Sequence, residues 1–71
     1  MATELYNNYL IASIPRYSDE NNAWSVKLII SRREGYYLHY HSFEHPKLFD
    51  TLPEAVTEGL LIARLWIDKK L

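Results

Sequence analysis

Three histidines lie close together in the sequence and are the residues best suited by type and spacing to chemistry. His39 and His41 are two residues apart, so on a strand their imidazoles point to the same side, and His45 follows. Imidazole pairs of this kind are typical zinc ligands. Three ligands from one short segment make a poor site without a distant fourth, so we predict no bound metal and no cofactor. Their protonation near pH 6.5 offers another use, because it would loosen a contact between copies of the chain.

Sequence patterns of enzymes are missing from the chain. It has no G-x-S-x-G elbow, no glycine-rich phosphate loop and no H-E-x-x-H helix, and it holds only two glycines. A chain of 71 residues also leaves little volume for a pocket of about 300 Å³. We therefore predict a protein that is not an enzyme.

Composition narrows the class of protein further. The chain is 48% hydrophobic, has no cysteine and carries a net charge of −1, which indicates a single domain over residues 1–71 without disulfides or a strongly basic surface. The N-terminus lacks the pattern of a signal peptide, and no apolar run reaches the about 20 residues of a membrane span. These features predict a cytoplasmic protein with no membrane partner.

The hydrophobic pattern predicts three strands and one helix. Residues 8–14 form a first strand that Pro15 ends, residues 24–32 alternate as a second, and residues 36–43 form a third. A capping box at Thr51 and Glu54 predicts the start of a helix, whose Gly59 allows close approach to the sheet. The predicted fold is α+β, a three-stranded antiparallel β-meander with one C-terminal α-helix on one face. Residues 1–7 add a helical turn or extend the first strand, and the sequence leaves both open.

The turn between the second and third strands decides which side chains share a face. We predict a three-residue loop, Arg33-Glu34-Gly35, because only Gly35 would then need a left-handed backbone. Arg32 would lie opposite Tyr36, and the row of aromatic residues and histidines would point away from the helix. The predicted binding residues on this open sheet face are Lys27, Ile29, Arg33, Tyr37, His39, His41 and Phe43.

Two functions suit such a face. An exposed apolar patch on so small a domain usually marks an interface, so the first expectation is a protein-interaction module that forms a homodimer or binds a protein partner. The alternative is a domain that binds single-stranded nucleic acid, because bases stack on aromatic rings while Lys and Arg contact phosphates. Nucleic acid is the less favoured partner because the net charge is slightly negative.

The C-terminal segment resembles a group of small bacterial β-β-β-α proteins without assigned activity. The likeness rests on an F-x-T-x-x-E-A…G-x-x-x-A-R-x-W-I-D pattern that starts at Phe49 and ends at Asp68. A looser likeness is to HicB-type antitoxin domains, whose helix also opens with Glu-Ala, here Glu54-Ala55. The double-stranded RNA-binding domain shares a three-stranded sheet followed by a helix. These resemblances imply the fold and carry no site residues with them.

Overall fold

The chain folds into one antiparallel sheet with a helix across one of its faces. The computed structural model describes residues 2–70. Neighbours along the chain are also neighbours in the four-stranded sheet, which confirms an α+β fold with a C-terminal helix but makes the predicted count of three strands wrong. The elements, in chain order, are β1 (Ala2–Tyr6), β2 (Tyr9–Ser18), β3 (Ala23–Glu34), β4 (Tyr37–Glu44) and α1 (Leu52–Lys70).

The additional strand is β1, in the segment whose structure the sequence left open. It pairs with β2 through the two-residue turn Asn7-Asn8, with Tyr6 opposite Tyr9. Both asparagines have positive φ, 48° and 70°, as a type I′ hairpin turn requires, and asparagine tolerates this conformation well. The Asn-Asn pair was therefore a usable signal for a hairpin. Met1 lies outside the described residues.

β2 continues through Pro15 to Ser18, so the predicted end of this strand is wrong. β1 accompanies β2 only as far as Ser13. The His45 amide donates to the Val26 carbonyl, 3.0 Å away, so the backbone groups of Val26 face β4. Pro15 lies opposite Val26, and its nitrogen therefore points away from β3 toward a free edge. Proline at such a position costs the sheet no hydrogen bond.

The turn between β3 and β4 differs from the predicted one and changes the register. Its two residues are Gly35 and Tyr36, with Glu34 opposite Tyr37. Gly35 is left-handed as predicted, with φ 62°, but it occupies the first central position, as glycine does in a type II′ turn. Arg32 consequently lies opposite His39 and not Tyr36. The pairing is displaced by an odd number of residues, and such a displacement moves every β4 side chain to the other face.

The helix begins where the capping box places it. The Thr51 hydroxyl oxygen accepts a hydrogen bond from the Glu54 amide at 3.3 Å. The predicted apolar side of α1 faces the sheet, although Leu52 at its first residue is exposed. The core that this packing forms consists of Ile11, Val26, Leu28, Ile30, Phe49, Ala55, Ala63 and Ile67.

Gly59 is the point of closest approach between α1 and the sheet, as predicted. A Cβ placed there would lie 2.5 Å from the Ser13 hydroxyl oxygen and 3.0 Å from a Val26 methyl. Ser13 is fully buried and donates a hydrogen bond to the Val56 carbonyl at 3.4 Å. The helix can therefore lie directly on β2 and β3 only because this position has no side chain.

Candidate functional site

The predicted binding residues divide between the two faces of the sheet. Lys27, Ile29 and Arg33 alternate with the buried residues of β3 and remain on the open sheet face, the side away from α1. The four predicted residues of β4 lie opposite Leu28, Ile30, Arg32 and Glu34, so the prediction that they share the open face is wrong. The two-residue turn is the physical reason. The residues on the helix side are Tyr37, His39, His41 and Phe43.

The open sheet face is apolar at its centre. Side chains directly opposite each other across the four strands form rows on one face. One row runs Leu5, Leu10, Ser31, Tyr40, and the next runs Thr3, Ala12, Ile29, Ser42. Leu5, Leu38 and Tyr40 on this face are 77%, 66% and 71% exposed. Part of this sheet surface thus presents large apolar side chains to solvent.

Charged groups lie toward the two ends of the open sheet face. Arg16 and Glu44 form an ion pair at 3.8 Å near one end, with both side chains largely exposed. Lys27 lies between Ile14 and Glu44 in the neighbouring row. Arg33 lies at the other end, opposite Leu38. The apolar centre is therefore flanked by cations, an arrangement typical of an interface core with a polar rim.

β4 forms one edge of the sheet and is exposed along most of its length. Since the His45 amide bonds to Val26, the odd-numbered residues of β4 form the hydrogen-bonded pairs with β3. The backbone N–H and C=O groups of Leu38, Tyr40 and Ser42 therefore point outward. An exposed edge strand without Lys or Pro is a template on which another strand can pair.

A cleft of about 290 Å³ lies on the helix side of the sheet, between the last turns of α1 and the β3–β4 hairpin. We call it the hairpin cleft. Trp66 of α1 extends over β4 and stacks on His41, with ring centroids 4.9 Å apart and an interplanar angle of 14°. Phe43 lies beyond, with its ring centroid 6.4 Å from that of Trp66. The Trp66 and His41 rings form one wall of the cleft, and Ile30 and Tyr40 contribute to its lining.

The other lining groups of the hairpin cleft are polar. The Arg32 guanidinium carbon lies 5.6 Å from the centre of the Tyr9 ring, at cation–π distance. The His39 Nε2 atom lies 3.5 Å from a Glu34 carboxylate oxygen. One cleft therefore combines an aromatic wall with a guanidinium group and a histidine–carboxylate pair.

The three histidines have separate environments. His45 accepts a hydrogen bond from the Lys47 amide at its Nδ1 atom, 3.0 Å away, and its ring packs edge-on against Phe49. His39 and His41 share the helix side of β4, as their spacing predicts. Within residues 2–70, no three metal-ligating side chains come together in a group that could hold an ion.

Two polar contacts hold β1 against α1 and so position the rows of the open sheet face. The Arg64 Nε and Nη2 atoms donate to the two carboxylate oxygens of Glu4 at 2.6 and 2.5 Å. These hydrogen bonds lower the pKa of Glu4 and raise the pKa of Arg64. The Tyr6 hydroxyl donates to Asp68 at 2.9 Å, and this hydrogen bond raises the pKa of Tyr6. Leu5, between Glu4 and Tyr6, consequently points away from the helix.

Sequence reasoning did not find the hairpin cleft. Six of its eight lining residues were not among the predicted site residues, namely Tyr9, Ile30, Arg32, Glu34, Tyr40 and Trp66. Two sequence features could have predicted it: the alternation of β3 and a turn in which Gly35 is the first residue. Together they place Arg32 and His39 side by side. The contact of Trp66 with His41 depends on the same register.

Comparison with known proteins gives no matching family model, no matching curated protein and no matching solved structure. The resemblances drawn from the C-terminal segment therefore stay predictions. The helix of the described residues is not long and apolar enough to cross a membrane.

Proposed function

We propose that the chain is a non-enzymatic protein-interaction module of the cytoplasm that forms a homodimer by packing two open sheet faces together. The observation that carries this proposal is the apolar centre of that face, which no described residue covers. Contiguous apolar patches beyond a few hundred Å² are rare on monomers and usually mark an interaction site. Leu5, Leu10, Ile29 and Tyr40 form the contact, and Lys27 and Arg33 lie at its rim.

The dimensions of the molecule favour a second copy as the occupant. The four strands contain 35 residues, so one sheet face covers about 550 Å², and two such faces together would bury about 1,100 Å², just above the about 1,000 Å² expected of a biological interface. Two sheets packed face to face interdigitate their inner side chains in the same way as a β-sandwich. Self-association thus completes the second layer that a single-layer sheet lacks.

The charge distribution is compatible with such a pair. A two-fold axis that passes near Ile29 and reverses the strand direction brings Lys27 of one copy across from Ser31 of the other. The same operation brings Arg33 across from Ser25. No like charges then oppose each other in the middle of the interface, where they would be costly. Of the residues predicted from sequence, Tyr37, His39, His41 and Phe43 lie outside this contact.

Sedimentation equilibrium of the native chain and two leucine variants tests the proposal. The native chain is expected to sediment at twice its mass of 8.4 kDa at high concentration. Leu10→Glu places a charge in the apolar contact and is expected to weaken association at least a hundredfold. The matched control is Leu65→Glu, which alters an exposed leucine of α1 and should leave association unchanged. A monomeric native chain, or equal effects of both variants, would contradict the proposed interface.

The alternative, binding of single-stranded nucleic acid, needs aromatic rings among cations on one open surface. On the four described strands, Tyr40 is the one aromatic side chain that shares the open sheet face with Lys27 and Arg33. The geometry therefore favours a protein partner. Retention of the native chain on immobilised oligonucleotide, lost by about 0.3 M salt through counterion release, would support nucleic-acid binding instead.

A further inference from the structure

We propose that the hairpin cleft binds a small planar anion, a single aromatic ring that bears a carboxylate or phosphate group. This site lies on the helix side of the sheet, and Tyr40 of the open sheet face also contributes to its lining. Arg32 contacts the anionic group, and the stacked pair of His41 and Trp66 contacts the ring.

The aromatic wall is the first reason. His41 and Trp66 lie nearly parallel at 4.9 Å, and Tyr9 lies across the cleft beneath Arg32. Flat ligands gain dispersion and stacking energy against such walls, whereas flexible aliphatic ligands gain less from them. The exposed ring surfaces are held by two different elements, β4 and α1, so the wall is formed before any ligand arrives.

Arg32 provides the charge. Its guanidinium lies over the Tyr9 ring and makes no hydrogen bond or ion pair with another residue of the described chain. The neighbouring carboxylate, Glu34, lies 3.5 Å from His39 and forms no ion pair with Arg32 within the described residues. A guanidinium fixed over a ring presents a planar fork of donors that matches carboxylate and phosphate oxygens. The donors are available to an anion from solution.

The volume limits the size of the ligand. At about 290 Å³ the cleft lies at the lower end of the range for small-molecule sites, about 300–1,000 Å³. One ring system and one anionic group fit that volume, whereas a dinucleotide or a peptide does not. The adjacent faces of Arg32 and His41 allow the two parts of such a ligand to be bound together.

A series of ligands tests separately how much the aromatic ring and the anionic group contribute to binding. Benzoate and phenyl phosphate carry both features, benzamide carries the ring alone, and acetate and inorganic phosphate carry the anion alone. In titrations followed by two-dimensional NMR, we expect benzoate and phenyl phosphate to shift the Trp66 indole N–H and the Arg32 Nε–H. Benzamide, acetate and inorganic phosphate should bind at least tenfold more weakly, because each lacks one of the two contacts. The stronger of the two ring anions identifies whether a carboxylate or a phosphate is preferred.

Two neighbouring arginines provide a matched pair of variants. Arg32→Gln removes the charge in the cleft and is expected to weaken binding of the preferred ring anion at least tenfold. Arg33→Gln removes the same charge one residue along β3, on the open sheet face, and should leave the affinity unchanged. Native-like amide spectra of both variants would show that each remains folded, and Arg32→Lys serves as a further test because it keeps the charge without the fork.

Three results would overturn the proposal. These are no shift in the cleft with any ring anion at millimolar concentration, equal binding of benzamide and benzoate, or equal loss in the Arg32 and Arg33 variants. The proposed dimer is tested separately by Leu10→Glu and Leu65→Glu, which lie outside the cleft, and sedimentation of Arg33→Gln shows whether this rim variant alters association.

Discussion

Gly59 lies directly over Ser13 where the helix packs on the sheet. A methyl group at residue 59 would lie 2.5 Å from the Ser13 hydroxyl oxygen. Gly59→Ala should therefore lower the free energy of unfolding by up to about 2 kcal/mol, because overpacking costs about 1–3 kcal/mol whereas the gain in helix propensity is about 1 kcal/mol. Urea unfolding followed by circular dichroism measures this change.

A double-mutant cycle with Ser13→Ala checks the cause. The single substitution removes the hydrogen bond to Val56 and should cost about 1 kcal/mol. In the double variant the oxygen that opposes the new methyl group is gone. The double variant should therefore lose less free energy of unfolding than the two single variants lose together. Additive effects would show that the cost of Gly59→Ala arises elsewhere, for example at Val26.

At the scale of elements, the attachment of β1 to α1 depends on the pair formed by Glu4 and Arg64. The hydrogen bonds from Arg64 lower the pKa of Glu4, so the folded state favours the ionised carboxylate. A group with a lowered pKa stabilises the fold above its unfolded pKa, here about 4.3, and loses that contribution as the pH falls through the folded value. Acidification should therefore loosen β1.

The measurement is the urea midpoint of the native chain and of Glu4→Gln as a function of pH. We expect the native chain to be more stable at pH 7 and the difference to shrink below about pH 4.3 as Glu4 becomes protonated in the unfolded and then the folded state. Glu20→Gln, in the exposed turn between β2 and β3, should show no such pH-dependent difference. A constant difference between pH 7 and pH 2.5 would argue against the ion pair.

The elements were largely predictable from the sequence, whereas their register was not. The alternation of β3 identified the buried Val26, Leu28 and Ile30, and Thr51 identified the start of the helix. Such features depend on local patterns. β1 was left open because a five-residue strand has too few alternating positions, and its Asn-Asn turn was not used as evidence.

The prediction of the candidate site was wrong because of the turn that contains Gly35. A left-handed Gly35 is compatible with two loop lengths, and the choice between them depends on which β4 residues pack beneath the helix. His41 and Phe43 pack against Trp66, a contact between residues more than twenty positions apart in the sequence that no local pattern contains. The shift by an odd number of residues then moved four of the seven predicted site residues to the other face.

At the scale of the whole molecule, the hydrophobic core is small because α1 covers only one face of the sheet. Nine apolar side chains are buried in the described residues, and a domain near 70 residues is expected to be only marginally stable by itself. A second copy on the open sheet face would bury further apolar surface and stabilise the fold. Stability and association are therefore linked in the proposed homodimer.

This linkage predicts a melting temperature that depends on protein concentration. Mass action favours the folded dimer as the concentration rises, and each tenfold increase contributes about 1.4 kcal/mol per dimer. For chains of this length that corresponds to a rise of roughly 3–5 °C per tenfold increase. Scanning calorimetry of the native chain between about 10 μM and 1 mM measures the slope. Leu10→Glu, which should remain monomeric, is expected to melt at one temperature throughout this range, and a native chain with the same flat profile would mean that the open sheet face is not covered by a second copy.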